Sequence, residues 1–185
     1  MKITKVLGAL LAVITLGTAI TLTPDVSAQA KAKYSLKTIP KKFRGTRYSY
    51  YKDPQTSKAS YSKLVISAKK FTTSYSNHPD MTSVFKVKSL NLSRNITNHD
   101  MMRSNDWQAV YVKKGTLYQF DWESYSANKK SLSSRYKFVS KTRQGKRAKV
   151  LREGDTTGRG ANKVFQTTYW YSTKAQAKYF NPTGK

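Results

Sequence analysis

The sequence predicts a mainly β fold: a small antiparallel barrel, or a two-sheet sandwich, of seven or eight strands with a short C-terminal helix. Three observations predict it. Segments rich in β-branched and aromatic residues alternate with Gly, Asn, Asp and Ser clusters between residues 47 and 172, the pattern of strands joined by tight links. Aromatic residues (Tyr 13, Phe 7, Trp 3) make up 12% of the chain, more than a disordered basic segment carries. Cysteine is absent, so burial and hydrogen bonding alone hold the fold, and closing a barrel removes its exposed edges.

The chain divides into a leader (1–28), a polar Lys/Ala-rich lead-in (29–38) expected to be flexible, and one β-rich domain (39–185). In the leader, Lys2 and Lys5 precede an uncharged apolar run of about 17 residues, at the lower limit for spanning a bilayer. Pro24 breaks that run, and Val26-Ser27-Ala28 puts small residues where a signal peptidase reads them. Ala28-Gln29-Ala30 repeats the pattern, so cleavage follows residue 28 or 30. Within the domain, Ile39-Pro40 sets a turn, because Pro fixes its own φ and drives its predecessor to extended geometry. Strands are expected over 47–51, 62–72, 83–92, 107–113, 116–125, 134–141, 149–152 and 163–172.

Two segments are clearest. Trp107, Ala109 and Tyr111 share one face of an extended run, Lys113-Lys114-Gly115 makes a three-residue link, and Tyr118, Phe120 and Trp122 line one face of the return strand. Near the C-terminus, Phe165, Tyr169 and Tyr171 alternate with Gln166 and Thr168. Thr173 then caps a short helix over 174–180, which Asn181-Pro182 stops.

Charge narrows function more than any motif. The chain carries 35 Lys+Arg against 9 Asp+Glu, a formal net charge of +26. Removing the leader takes away Lys2, Lys5 and Asp25, which lowers it by one charge. An exported domain with this balance meets polyanions outside the cell, by neutralising phosphates and releasing their counterions. The densest basic stretch runs from Arg143 to Arg152, so Lys141, Arg143, Lys146, Arg147, Lys149 and Arg152 are the candidate polyanion-binding residues. The plain reading of such a cluster is a solvated hairpin tip.

The run Ile39-Pro40-Lys41-Lys42-Phe43-Arg44-Gly45-Thr46-Arg47-Tyr48 resembles the start of small secreted or wall-associated proteins of lactic-acid bacteria, whose mature chains open on an Ile-Pro, basic, Arg-Gly-Thr-Trp-Tyr pattern. The stretches 107–114, 145–151 and 169–174 are similar to that family as well. The resemblance implies a secreted, lipocalin-like barrel of poorly defined function. In lipocalins a Gly-x-Trp places the Trp that closes the barrel base; here the tripeptide is Gly45-Thr46-Arg47, without that Trp.

Enzymatic readings have a thin basis. There is no thiol, no Gly-x-Ser-x-Gly elbow and no zinc-ligand spacing among His78, Asp80, His99, Asp100 and Asp106, which read as turn residues. A secreted basic ribonuclease would draw its acid and base from His78, His99 or Glu123. The sequence therefore points to a noncatalytic, cationic domain of the cell exterior, with no cofactor or metal, held electrostatically to anionic wall polymers such as teichoic acids. Nucleic acid would bind only nonspecifically. The alternative is a lipocalin-like carrier of a small apolar ligand, with Phe120, Trp122 and Phe165 lining its cavity.

Overall fold

A computed structural model of the protein describes residues 34–53, 56–91, 106–122, 134–157 and 164–184, without the side chains of 156, 157, 164 and 165. The expected leader, the first part of the lead-in (29–33), His99 and Glu123 lie outside the described residues. Nine strands form one nearly closed, barrel-like sheet in sequence order: β1 (Gly45–Lys52), β2 (Ala59–Ile66), β3 (Lys70–Tyr75), β4 (Ser83–Val87), β5 (Trp107–Lys113), β6 (Thr116–Asp121), β7 (Ser134–Arg143), β8 (Lys146–Thr157) and β9 (Val164–Trp170). Helix α1 spans Lys174–Phe180, with the Thr173 hydroxyl accepting the Gln176 N–H at 3.1 Å.

The strands differ from expectation where turn chemistry is weak. The run expected over 62–72 is two strands, β2 and β3, which turn at 67–69 without Gly or Pro. The turn is held by Ser67, whose N–H donates to the Lys70 carbonyl at 2.9 Å. The β5–β6 link has two residues rather than three, because Lys113 already pairs with Thr116. Lys114 and Gly115 take φ of 47° and 75°, the left-handed pair that matches a hairpin's twist. Gln144 and Gly145 repeat this geometry between β7 and β8. One contact is not antiparallel: β4 meets β5 in parallel through Lys86↔Trp107 and Val87↔Gln108. The connection from 88 to 106 is long enough for the crossover that a parallel pair requires.

Residues 34–38 are not a loose lead-in. Ser35 is buried, its N–H donates to the Leu90 carbonyl at 2.8 Å and its hydroxyl accepts the Leu90 N–H at 2.7 Å. Leu36 packs against the main core. That core fills one end of the barrel with Ile39, Phe43, Leu64, Ile66, Phe71, Val110, Leu117 and Leu151 among others. Arg47 stands where the lipocalin-like pattern has Trp. Its guanidinium lies 5.3 Å from the Phe138 ring centre and donates to the Phe43 and Arg44 carbonyls at 3.0 and 3.3 Å. A planar cation thus covers the core's edge and satisfies two carbonyls at once.

Closure is brief. Tyr48 and Tyr171 exchange backbone hydrogen bonds at 2.8 Å each way. Above that point the edge of β1 is held by the C-terminal segment: the Asn181 amide donates to the Tyr50 carbonyl at 2.9 Å, and the Lys52 N–H donates to the Gly184 carbonyl at 3.0 Å. Outside this seam Ala177 and Phe180 of α1 pack with Tyr50, Val150 and Tyr171.

Gly184 has φ of 64°, and an added Cβ would sit 2.5 Å from the Lys52 nitrogen. Gly184→Ala is expected to cost about 1–2 kcal/mol from the left-handed backbone alone, and the clash adds to it. Amide exchange at Lys52 should accelerate while exchange in β5–β6 stays unchanged; equal protection at Lys52 in both proteins would show that the segment does not anchor this edge.

Candidate functional site

Strands β7 and β8 form the longest ribbon of the sheet, and their register sorts the basic residues by face. Lys137 pairs with Arg152, Lys141 with Ala148, and Arg143 with Lys146. Since side chains alternate along a strand, Arg135, Lys137, Lys141 and Arg143 share a face with Lys146 and Arg152. Val139 and Val150, paired at the middle of that face, pack in the cluster beneath α1, so the cations flank an apolar centre. Arg147 and Lys149 belong to the opposite face. The Arg147 guanidinium donates to the Ser140 hydroxyl at 3.0 Å, and the Lys149 ammonium lies 5.0 Å from the Phe138 ring centre. The structure thus groups four of the six expected residues on one face and turns two away. It adds Arg135 and Lys137, whose shared parity with Lys141 and Arg143 was open to reading in the sequence.

Several of these cations also rest on rings. Lys141 sits 3.9 Å from the Tyr169 ring centre, and Lys146 is 5.2 Å from that of Tyr179. Arg143 donates to the Tyr179 carbonyl and lies 5.4 Å from its ring centre, while the Tyr179 hydroxyl donates to the Arg143 carbonyl at 3.1 Å. Lys141 and Arg143 are accordingly half-buried, while Arg135, Lys137, Lys146 and Arg152 are exposed. The contacts place the charges without neutralising them.

The second region is inside. The end of the barrel away from the packed core holds a cavity of about 460 Å³, open along the seam between β1 and β9. Its walls carry the hydroxyls of Ser49, Ser62, Thr73, Ser83 and Thr168 beside the rings of Tyr75, Phe85 and Trp170, and Lys141, which rests on Tyr169, also borders it. Glu153 reaches it from β8. The Tyr136 hydroxyl donates to Glu153 Oε1 at 2.6 Å, and the Trp170 indole N–H donates to Oε2 at 2.7 Å. Burial pushes the carboxyl above its ordinary value; the two donors pull it back down, and nearby Asp155 pushes it further up. Tyr136 is raised well above the ordinary phenol value by burial and by Glu153, so it remains a donor.

Of the cavity-lining residues expected from the sequence, Phe120 and Trp122 lie elsewhere. Gln108, Val110 and Val112 pair with Asp121, Gln119 and Leu117 on the inward face, so alternation puts Phe120 outside. Phe120 packs there with Leu90, Ala109, Tyr111 and Trp122. The Phe165 side chain is outside the described residues. His78 lies 3.3 Å from Asp53 Oδ2. Asp53 is 3% exposed and also accepts the Thr56 N–H at 3.0 Å and the Asn77 amide. This pair ties the loops after β1 and β3 together and does not line the cavity. Among the described residues no cluster of three or more His, Cys, Asp or Glu side chains is placed to hold a metal, and no helix is long and apolar enough to cross a membrane. No family model, curated protein or solved structure matches the chain.

Because the folded-state value of Glu153 lies above the usual 4.5, its contribution is fully present below that value and is lost as pH rises through the folded one. Urea unfolding from about pH 4 to 8 should therefore show the wild type losing stability relative to Glu153→Gln over that interval. A constant difference across the range would mean that Glu153 has the same affinity for its proton folded and unfolded.

Proposed function

We propose that the protein is an exported, noncatalytic β-barrel that binds extracellular polyanions, anionic wall polymers such as teichoic acids foremost, through the outer face of β7 and β8. One observation carries the reading: Lys137 stands directly opposite Arg152, and Arg143 directly opposite Lys146, on the same face of one ribbon. Like charges in such positions repel, at a cost of roughly 0.2–1 kcal/mol per pair. An anion lying across the ribbon reverses the sign of that term. With strands rising about 3.4 Å per residue, the two pairs lie roughly 20 Å apart along the ribbon, a spacing suited to an extended polymer rather than to a single small anion. The Arg side chains can grip phosphate in forked fashion, and the Lys side chains add charge without demanding a sequence.

A second reading, a carrier of a small molecule, is favoured by the cavity of about 460 Å³. Its hydroxyl-bearing walls speak for a polar occupant in place of an apolar one.

Retention on purified cell walls, with and without teichoic acid, tests the first reading. Binding should fall steeply with salt and disappear with the polymer. The double variant Lys137→Gln/Arg152→Gln should weaken binding and lower the slope of log affinity against log salt by about 2. It should also raise the stability of the free protein by roughly 0.2–1 kcal/mol. Lys113→Gln/Lys114→Gln removes the same charge at a distant turn and should change the slope much less. Equal losses in both variants would assign binding to net charge alone and sink the ribbon as its site.

A further inference from the structure

The cavity is bordered by one cation, Lys141, whose ammonium rests on the Tyr169 ring, and by one carboxylate, Glu153, with no salt bridge between them. In a chain of net charge +26, no Lys or Arg among the described residues pairs with the Glu153 carboxylate. Its recorded partners are the neutral donors Tyr136 and Trp170, and the nearby ionisable group acting on it is another carboxylate, Asp155. Each Glu153 oxygen accepts one hydrogen bond and keeps a lone pair for another. Around it the cavity offers flat rings on some sides, Tyr75, Phe85 and Trp170, and hydroxyls on others, Ser49, Ser62 and Thr168.

A carboxylate with spare acceptor sites, set among ring faces, matches an ammonium group: the charge pairs with the acid, the N–H bonds fill its lone pairs, and the rings add cation–π attraction of about 0.5–2 kcal/mol. The wall hydroxyls ask for hydroxyls in return, since buried polar groups need partners. A volume of about 460 Å³ falls within the range of small-molecule pockets. We propose that this cavity binds a small polyhydroxylated molecule bearing a primary ammonium, of the amino-sugar class, with its nitrogen on Glu153 and its hydroxyls on the seryl and threonyl walls. The inference rests on the carrier reading and is independent of the polyanion-binding ribbon.

The test uses three probes that share a ring and differ at one position: glucosamine, glucose and N-acetylglucosamine. Each is titrated into the leaderless protein by calorimetry and followed by tryptophan fluorescence, since Trp170 touches both Glu153 and the cavity. Glucosamine should bind at least tenfold more tightly than either uncharged sugar. Glu153→Gln should remove that preference, and Thr168→Val should weaken glucosamine several-fold while keeping the wall's volume. If Glu153→Gln does not fold, the comparison of the three sugars on the wild type decides alone. Equal binding of all three would overturn the ammonium assignment and leave a carrier of neutral sugars. Absence of binding by every probe would overturn both the assignment and the carrier reading for this class of ligand.

Discussion

The structure depends on how the sheet closes. With no cysteine available, β1 and β9 must be joined by hydrogen bonds and packing, and among the described residues the join is a single bridge between Tyr48 and Tyr171. Everything else at the seam follows from its shortness. Below the bridge Arg47 seals the end of the core with its guanidinium. Outside it, α1 covers the tyrosines that closure leaves on the surface. Above it β9 does not continue along β1, so Asn181 and Gly184 satisfy the β1 edge, and the gap becomes the mouth of the cavity. A longer join would give a tighter barrel with no lateral entrance.

The sequence made the segment types legible wherever local chemistry was strong. The Lys114-Gly115 turn, the Thr173 cap and the period-two runs of β5 and β9 are short-range signals, and they lead to the observed elements. The split of 62–72 was not legible, because the turn is specified by Ser67, which donates to the Lys70 carbonyl and accepts the Lys69 N–H, rather than by Gly or Pro. Ser35 reads as a polar lead-in residue until Leu90, far along the chain, supplies its partner. Sidedness was the least legible property. Tyr118, Phe120 and Trp122 form the more aromatic stripe of β6, yet Leu117, Gln119 and Asp121 face inward, because outer-face aromatics find their own cover in Leu90, Ala109 and Tyr111. The same parity divides the basic run from Arg143 to Arg152, where density in sequence does not tell which charges share a face.

The two regions differ in charge, with Lys141 bordering both. Asp53 is buried and Glu153, half-buried, faces the cavity, and both are hydrogen-bonded, so the outside is more cationic than the net charge alone implies. On the outside, rings substitute for carboxylates: Tyr169 and Tyr179 carry Lys141, Arg143 and Lys146. A ring's quadrupole holds a cation in place while leaving its charge uncancelled. An ion pair would have spent that charge within the molecule.

So positive a shell does not satisfy the half-buried Glu153 carboxylate from a distance. A unit charge about 15 Å away across water contributes only about 0.3 kcal/mol, and salt screens it further over a Debye length of about 8 Å. Burial of a carboxylate costs several kcal/mol after relaxation. The direction of the Glu153 shift agrees, since burial outweighs both hydrogen bonds and keeps the carboxyl above its ordinary value. Surface lysines, however many, cannot stand in for a partner at contact distance. A single positive group within about 3 Å of the carboxylate, inside the cavity where the dielectric is lower, would outweigh the distant shell.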